Sequence, residues 1–417
     1  MVVRTTRLKD PTATKPMGPS ERICTPQNSG VVPAQAGEFQ PLRIGPLCLE
    51  TPVVLAPMAG VTNYPFRSLC RDYGAGLFVS EMITARGFLL GNKLTTKLAA
   101  VHPGEHPRSI QIYGSDPKDL GQMVARLVDE GIDHIDINFG CPVPKVTRQG
   151  GGSAIPAKPR LVARLVRAMV AHAQDVPVTV KMRIGIDAQT LTHMEAGRAA
   201  QEEGAAAVGL HARTAAQLYS GDADWEAIGQ LKSALQVPVL GNGDIFECWD
   251  ALRMMRETHC DGVIVGRGCL GRPWLFGEFV AVFSGQEPAP PPNLGGVLEV
   301  MEEHGRRLTE LFGEELGVRQ MRKWTSWYLR GFRGAAGVRA QLSRLGTFEE
   351  MRPLISSLGL EQAFPRQALR ASRAKGGRTQ KVKLPEGYLD DRDDDTPPKG
   401  PHTVDEIRAW EKALGAG

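Results

Sequence analysis

Short hydrophobic runs rich in β-branched residues recur along the middle of the chain, and an amphipathic stretch follows most of them. In Asp119–Glu130 and Lys158–Ala173, apolar residues recur at the 3.6-residue spacing of a helix that buries one face. Strands that alternate with helices predict a parallel sheet. The predicted strands are Val53–Met58, Leu77–Met82, Arg108–Tyr113, His134–Phe139, Pro177–Arg183, Ala207–Arg213, Pro238–Asp244 and Gly262–Gly268.

The number and spacing of these runs indicate how the sheet is arranged. Consecutive runs begin 24 to 43 residues apart, which is the length of one strand, one helix and two loops. Eight such units within about 220 residues favour a closed (β/α)8 barrel. An open doubly wound sheet is the alternative, although it normally needs fewer units. The predicted fold class is therefore α/β, a (β/α)8 TIM barrel with a C-terminal helical domain.

The chain outside the predicted barrel changes in character several times. Residues 1–40 are polar with several prolines and glycines, and the last fifty residues carry a basic block, 366–383, followed by an acidic block, 386–395. Blocks of like charge are typical of disorder, with Val404–Leu414 as a possible short helix. The predicted division is a disordered arm at 1–40, a barrel at 41–285, a Pro-rich hinge at 287–292, a helical domain at 295–365 and a charged, disordered tail at 366–417.

Composition narrows the class of protein. The 417 residues are 42% hydrophobic and 23% charged, which excludes wholesale disorder and a disulfide scaffold. The seven cysteines are scattered, so we expect reduced thiols and no metal site. The sequence shows no secretory signal and no run of the roughly 20 apolar residues that a membrane span needs, which predicts a cytoplasmic protein. The net charge of +4 would argue against a nucleic-acid partner only if the charges were evenly spread.

Polar residues collect where the predicted strands end. In a TIM barrel these ends meet at one face, and that face carries the active site. Glycines follow the seventh and eighth strands, where barrels commonly hold a phosphate, although tight turns would also explain them. The segments at the strand ends are Ala56–Gly60, Ser80–Met82, Gln111–Gly114, Asn138–Pro142, Lys181–Arg183, His211–Arg213, Gly241–Asp244 and Gly266–Gly268.

Two side chains at these ends suggest specific chemistry. Lys181 inside a barrel mouth requires an anionic partner, because an unpaired buried charge is costly. A reduced flavin and the carboxylate of Glu81 are equally good candidates for this partner.

Cys141 lies in a Gly-Cys-Pro turn. If its thiol has an ordinary pKa, Cys141 stays protonated and can donate a proton; near a cation it would instead be a nucleophile. A purely structural cysteine is the third alternative.

Taken together, these motifs resemble the tRNA-dihydrouridine synthases, most of all the bacterial B type. The likeness runs from about Leu42 to Leu360, so the arm and the tail lie outside it. Two mild departures occur, Asn63 where aspartate is frequent and Ser80 where threonine is frequent. The motifs that carry the resemblance are Ala56–Thr62, Ile137–Pro142, Val180–Arg183, His211–Thr214, Gly241–Ile245 and Val265–Gly268.

The resemblance implies a cofactor, a reductant and a reaction. FMN would be the cofactor, NADPH the reductant, and uridine in tRNA the group reduced to 5,6-dihydrouridine. Hydride would pass from reduced FMN to C6 of the uracil, and Cys141 would donate a proton to C5. Met58, Gln111, Lys181 and His211 would surround the flavin ring. The full implied set of cofactor-binding residues is Pro57, Met58, Ala59, Gln111, Lys181, His211, Asn242, Gly243, Asp244, Gly266 and Arg267.

Binding of tRNA is expected both at the mouth and on the helical domain. Residues 317–344 contain seven basic side chains and no acidic one, which favours contact with phosphates. Trp324, Trp327, Tyr328 and Phe332 interrupt this run, and core packing is the better interpretation for them. The predicted substrate-binding residues are Asn138, Lys145, Arg183, Arg213, Arg319, Arg322, Lys323 and Arg330.

Two other functions fit parts of the sequence. A flavin barrel that reduces a small molecule, such as an ene-reductase or a dihydroorotate dehydrogenase-like enzyme, would share the barrel but leave the basic helical region unexplained. A non-catalytic RNA-binding protein built on a barrel would leave Cys141 and Lys181 unexplained.

Overall fold

The strands form one small hairpin and one long parallel sheet in the computed structural model, which describes residues 23–74, 76–100, 102, 104–371 and 378–398. The order within the long sheet is β4-β3-β11-β10-β9-β8-β7-β6-β5. The strands are β1 (Leu42–Ile44), β2 (Leu47–Leu49), β3 (Val53–Leu55), β4 (Leu77–Phe78), β5 (Ile83–Thr84), β6 (Ser109–Tyr113), β7 (His134–Phe139), β8 (Val178–Arg183), β9 (Ala207–His211), β10 (Val239–Asn242) and β11 (Gly262–Val265).

The two edge strands of this sheet are pieces of one interrupted strand. β4 pairs with β3 and β5 pairs with β6, and the chain between them contacts both neighbours. Val79 N donates to Leu55 O at 3.3 Å, and Ser80 N donates to Ser109 O at 3.1 Å. These bonds close the sheet into a barrel. The predicted (β/α)8 fold is confirmed, all eight predicted strands are present, and the open sheet is wrong.

Amphipathic helices surround the barrel, as the sequence pattern predicts. In α6 the buried residues Leu161, Val162, Leu165, Val166 and Met169 form one stripe against the sheet. The helices are α1 (Tyr64–Asp72), α2 (Ala85–Leu89), α3 (Lys93–Ala99), α4 (Pro117–Asp129), α5 (Pro144–Thr147), α6 (Pro159–Val170), α7 (His193–Glu202), α8 (Trp225–Ala234), α9 (Cys248–Thr258), α10 (Leu275–Phe283), α11 (Leu294–Phe312), α12 (Glu314–Tyr328), α13 (Ala335–Leu342) and α14 (Met351–Ser356). No helix among the described residues is both long enough and apolar enough to cross a membrane.

The β1–β2 hairpin, which the sequence analysis did not identify, lies at the amino-terminal end of the barrel strands. Its turn glycine, Gly45, has a φ of +56°. A Cβ at this position would lie 3.0 Å from Cβ of Pro177, directly before β8. Leu42 and Ile44 are buried there. The hairpin therefore covers one end of the barrel, and the carboxyl ends of the strands form the mouth at the other end.

Helices α11 to α14 form the predicted helical region and pack against the barrel helix α1. The Trp324 ring lies 4.4 Å from that of Phe66 and 4.6 Å from that of His304, measured between centroids. Trp324 and Tyr328 are fully buried. Core packing is therefore confirmed for these aromatic residues. An ion pair between Arg307 and Asp72 also joins the region to α1.

The prediction that residues 1–40 are disordered is wrong for residues 23–40, which lie against α9. Thr25 Oγ1 donates to Glu247 Oε1 at 2.5 Å, and Asn28 Nδ2 donates to Asp250 Oδ1 at 2.9 Å. The two buried carboxylates need these donors, and a polar sequence supplies them without an apolar signal. Residues 1–22 lie outside the described residues.

Residues 378–398 of the tail are also ordered, although the charge blocks predict disorder. They form turns rather than helices or strands. Tyr388 Oη donates to Gly150 O at 3.1 Å, and Asp394 pairs with Lys158 at 2.5 Å. The acidic block finds basic partners on the barrel, so its self-repulsion is relieved. The possible helix at Val404–Leu414 lies outside the described residues.

Candidate active site

A chain of hydrogen bonds runs through the interior of the barrel. It begins at Ser109 on β6, whose Oγ lies 2.7 Å from Nδ1 of His134. Nε2 of His134 lies 3.0 Å from Oγ1 of Thr179, and that hydroxyl donates to Asp136 Oδ1 at 2.6 Å. Burial lowers the pKa of His134 to about 3, so its ring is neutral.

From Asp136 the same chain continues to the mouth. Gln111 Nε2 donates to Asp136 Oδ2 at 2.7 Å, and Asn138 Nδ2 donates to Gln111 Oε1 at 2.8 Å. Oδ1 of Asn138 accepts the backbone N–H groups of Gly140 at 3.0 Å and Cys141 at 2.9 Å. The cysteine turn is therefore fixed by a network that is rooted in the barrel core.

Cys141 is only 8% exposed, and its backbone is held from a second direction. Cys141 O accepts from Ser153 N at 3.0 Å. A Cβ on Gly152, whose φ is +55°, would lie 2.6 Å from that carbonyl oxygen, so only glycine fits. Burial raises the pKa of the thiol, although Arg183 opposes the rise. The group therefore stays protonated at neutral pH, which favours a proton donor over a nucleophile.

Lys181 lies near the carboxyl end of β8 and is half-buried. Its Nζ donates to Asn242 Oδ1 at 3.0 Å. Burial lowers its pKa to about 8, and the nearby Asp136 opposes this shift, while burial raises the pKa of Asp136 to about 6. The alternative partner, Glu81, instead accepts the backbone N–H of Gly60. The ordinary Lys181–Glu81 pair is therefore wrong.

Three arginines lie close together around Tyr219 at the ends of β8, β9 and β11. The guanidinium carbon of Arg267 is 3.7 Å from the centre of the Tyr219 ring, and that of Arg183 is 5.5 Å away. Arg213 Nη2 donates to both carboxylate oxygens of Asp244 at 2.8 Å. In the part of the chain that the structure describes, the buried Nη1 of Arg213 has no partner. The cluster therefore has an unused donor and an excess of positive charge.

A glycine turn beside this cluster brings bare backbone close to Arg213. Gly243 has a φ of +131°, and a Cβ there would lie 2.7 Å from Cβ of Ala223 and 3.7 Å from Nη1 of Arg213. Nε1 of Trp225 donates to Gly243 O at 3.1 Å and fixes the turn. Bare backbone next to an unpartnered guanidinium N–H suits a phosphate group.

The remaining predicted cofactor residues lie at the same end of the barrel. His211 is buried at the end of β9, and desolvation holds its pKa well below the ordinary value, so the ring is neutral. Met58 N donates to Thr62 Oγ1 at 2.9 Å, which shapes the segment containing Pro57 and Ala59. A Cβ on Gly266 would lie 3.9 Å from Sδ of Met58.

Two of the predicted substrate-binding residues at the mouth hold the protein's own loops. Arg183 Nε donates to Gly140 O at 3.0 Å and its Nη1 to Thr214 O at 3.0 Å, which braces the cysteine turn. Arg213 is bound to Asp244, as described above. Lys145, on the short helix after Cys141, has an exposed side chain. Contact of these residues with RNA stays a prediction.

The basic run of the helical region is divided in the same way. Arg319 and Arg330 are exposed. Arg322 Nε donates to Leu345 O at 3.0 Å, within the helical region. Lys323 Nζ donates to Gly60 O on the barrel, beside Glu81. Two of these four side chains therefore bond within the protein, and contact of the basic run with RNA stays a prediction.

Sequence reasoning missed two residues that shape the site. Asp136 connects Gln111 and Thr179, and a carboxylate in the middle of an otherwise apolar strand is the signal that could have identified it. The Tyr219 ring packs against arginines of the cluster. It lies on a loop beyond β9, where no sequence motif identifies it as a site residue.

Comparison with known proteins places this geometry in a family. The family model described as dihydrouridine synthase matches residues 54–368. A Mycobacterium tuberculosis protein named probable tRNA-dihydrouridine synthase is 50% identical over 370 residues, covering 86% of this chain and 95% of that protein. The tRNA-dihydrouridine synthase B of Pseudomonas aeruginosa is 42% identical over 305 residues, covering 73% and 91% respectively. The chain is therefore a member of the dihydrouridine synthase family.

Proposed function

We propose that the protein reduces uridine to 5,6-dihydrouridine in tRNA, with FMN as cofactor and NADPH as reductant. The observation that carries the proposal is the buried, protonated Cys141 thiol, held by Asn138 at the mouth beside Lys181 and Gln111. Adding a hydride and a proton across a carbon–carbon double bond requires a fixed proton donor. It also requires groups that orient the hydride donor, and Lys181 and Gln111 offer a positive charge and hydrogen bonds for this purpose.

The residues at the mouth fit FMN. The phosphate would bind near the Gly243 turn, where Arg213 Nη1 lacks a partner and Arg267 adds a second cation. Gly266 offers further uncovered backbone. Lys181 and Asn242, which are hydrogen-bonded to each other, would contact the ring. Asp244 would hold Arg213 in position rather than touch the phosphate, because its carboxylate is already bound.

Bound FMN would supply the hydride, and the residues around it would orient the ring and balance its charge. Lys181 would place a positive charge against the ring, since a pKa of about 8 leaves it mostly protonated at pH 7. Gln111 has its orientation fixed by Asp136 and Asn138 on either side. The neutral His211 can donate one hydrogen bond without adding charge.

Cys141 would deliver the proton to C5 as negative charge develops on the uracil. Its raised pKa keeps the proton on sulfur until that moment, and the Asn138 turn holds the thiol in one place. Cys141 is buried at the end of a barrel strand, so the uridine must leave its stack to reach it. The exposed side chains of Lys145, Arg319 and Arg330 would bind phosphates around the displaced base.

Reduction of a small molecule in the same mouth is the competing function. It requires the same flavin site but gives no reason for exposed arginines on a separate helical region. The relatives named above as tRNA-dihydrouridine synthases also favour tRNA.

The purified protein tests the proposal in two steps. It should be yellow and should release FMN on denaturation, and colourless protein that cannot be reconstituted would contradict the flavin site. NADPH oxidation should then be coupled to dihydrouridine formation in tRNA that lacks this modification. If free uridine is reduced as fast as tRNA, the small-molecule function is correct instead.

A further inference from the structure

The ordered part of the tail, residues 378–398, separates its charges onto two different surfaces. Its acidic part lies along α6, where Asp394 pairs with Lys158 at 2.5 Å. Asp393 pairs with Arg160 at 3.3 Å, and Asp395 pairs with Arg164 at 3.5 Å. These pairs hold the acidic block on the outside of the barrel and neutralise charge that would otherwise repel RNA.

An aromatic anchor holds the middle of this segment against the loop that supports the cysteine. Tyr388 is buried, and its ring lies 4.6 Å below the ammonium group of Lys158. A Cβ on Gly150 would lie 2.9 Å from both Tyr388 Cε2 and Pro398 Cβ. The tail therefore packs directly on the glycine loop that continues to Gly152 beneath Cys141.

The basic part of the segment lies at the mouth itself. Gln380 Nε2 donates to Pro142 O at 2.8 Å and to Ala215 O at 3.1 Å. Gln380 N donates to Ala216 O at 2.8 Å. Pro142 directly follows Cys141, so the tail is joined to the cysteine turn and to the loop after β9.

The basic side chains around Gln380 are free to bind a ligand. Arg378, Lys381 and Lys383 are all exposed. None of them forms an ion pair within the residues that the structure describes. Three unpaired cations at the rim of a mouth, with the acidic residues of the same segment held elsewhere, form a surface suited to a polyanion.

We propose that residues 378–383 are a second RNA-binding surface, which contacts the phosphates flanking the uridine in the mouth. The inference rests on the proposed function, because it takes tRNA as the substrate. Lys381 and Lys383 would bind the backbone without reading bases, since lysine binds phosphate as a point charge. The segment lies outside residues 54–368, which the family model matches.

The test compares two double variants of the full-length holoenzyme. In Lys381→Ser/Lys383→Ser, tRNA affinity should fall roughly tenfold near physiological salt, and the slope of log K against log salt should become shallower by about 2. The matched control is Arg43→Ser/Arg126→Ser, which removes the same charge from exposed positions on β1 and at the end of α4. Its affinity and slope should equal those of the wild type.

Three readouts separate the possible outcomes. Equal affinity and slope in the two double variants would overturn the second surface, while wild-type reduction of tRNA would leave the proposed function standing. Weaker binding with an unchanged slope would also overturn the second surface, because no phosphate contact would have been lost.

A photoreactive residue at position 381 should crosslink to tRNA, whereas one at position 43 should not. Absence of tRNA reduction by the wild type would contradict the proposed function itself.

Discussion

The barrel mouth and the helical region are both rich in charged residues, but they use them differently. In and beneath the mouth, Asp136 and Arg213 are buried and Lys181 is half-buried, and hydrogen bonds or ion pairs fix their positions. In the helical region, Arg319 and Arg330 extend into solvent while Arg322 bonds inside the protein. A buried charged group must be paired, so a buried donor without a protein partner indicates a ligand. An exposed charged group is solvated by water and indicates no ligand by itself.

The comparison shows how far charge along a sequence indicates function. A helix turns every 3.6 residues, so a continuous basic run is distributed over all its faces. Met321 and Trp324 are on the buried face of α12, and the intervening Arg322 and Lys323 reach protein carbonyls. A polar residue in a barrel strand has only two directions available, which makes its position more predictable.

Removal of the proton donor should have the largest effect on the mouth. We expect Cys141→Ala to lower the rate of uridine reduction by about 10²–10⁴-fold, the usual contribution of a general acid. FMN content and NADPH oxidation should be retained, because the sulfur is not among the predicted flavin ligands. Rapid-mixing kinetics with tRNA measure both half-reactions.

The control for this variant is Cys48→Ala, at an exposed cysteine in the β1–β2 hairpin at the opposite end of the barrel. It should reduce tRNA at the wild-type rate. Unchanged turnover in Cys141→Ala would mean that another group donates the proton to C5 and that Cys141 is not the general acid.

The phosphate site should show the next largest effect. Arg267→Ala should weaken FMN binding by about 10–100-fold, because a charge-assisted hydrogen bond contributes about 1.5–3 kcal/mol. Fluorescence titration of the apoprotein measures the affinity, with Arg126→Ala as an exposed control. An unchanged affinity would mean that the arginine cluster holds a different anion, such as a phosphate of the RNA.

Asp136→Asn tests the buried charge beneath the proposed flavin site. Asp136 raises the pKa of Lys181, which is about 8, so the variant should lower it further and neutralise the lysine at a lower pH. Under the proposed function FMN affinity depends on the protonated lysine, so this affinity should begin to fall at a lower pH than in the wild type. Titrations from pH 6 to 9 measure the shift, and coincident pH profiles would show that the charge on Lys181 does not contribute to binding.

The helical region should give the smallest effect, and one that discriminates between its arginines. Arg319→Ser/Arg330→Ser should weaken tRNA binding several-fold and make its salt dependence shallower by about 2, without a change in thermal unfolding. Arg322→Ser should instead lower the unfolding temperature, because Leu345 O loses its donor. If Arg322→Ser weakens tRNA binding with no loss of stability, Arg322 binds RNA and does not have this structural role.

The fold was largely predictable from the sequence, because hydrophobic periodicity directly encodes strands and helices. The strand His134–Phe139 has the predicted bounds, whereas the second strand is interrupted between Phe78 and Ile83, which its apolar composition did not reveal. The Cys141 turn and Lys181 were identifiable from their place at strand ends. Tyr219 was not, because a loop residue becomes part of a site only through tertiary contacts.

The order of residues 23–40 and 378–398 could not be predicted for a related reason. Both segments are polar, and their stability comes from ion pairs and hydrogen bonds to distant parts of the chain, such as Asn28 with Asp250 and Asp394 with Lys158. Local composition contains no information about those partners.

Mass spectrometry of tRNA measures directly whether the protein reduces uridine. The substrate is tRNA from cells that lack this gene, incubated with the purified holoenzyme and NADPH and digested to nucleosides. The account predicts that specific uridines gain two hydrogens with the wild type and remain unreduced with Cys141→Ala. Holoenzyme that contains FMN and oxidises NADPH but leaves every uridine of this tRNA unreduced would contradict it.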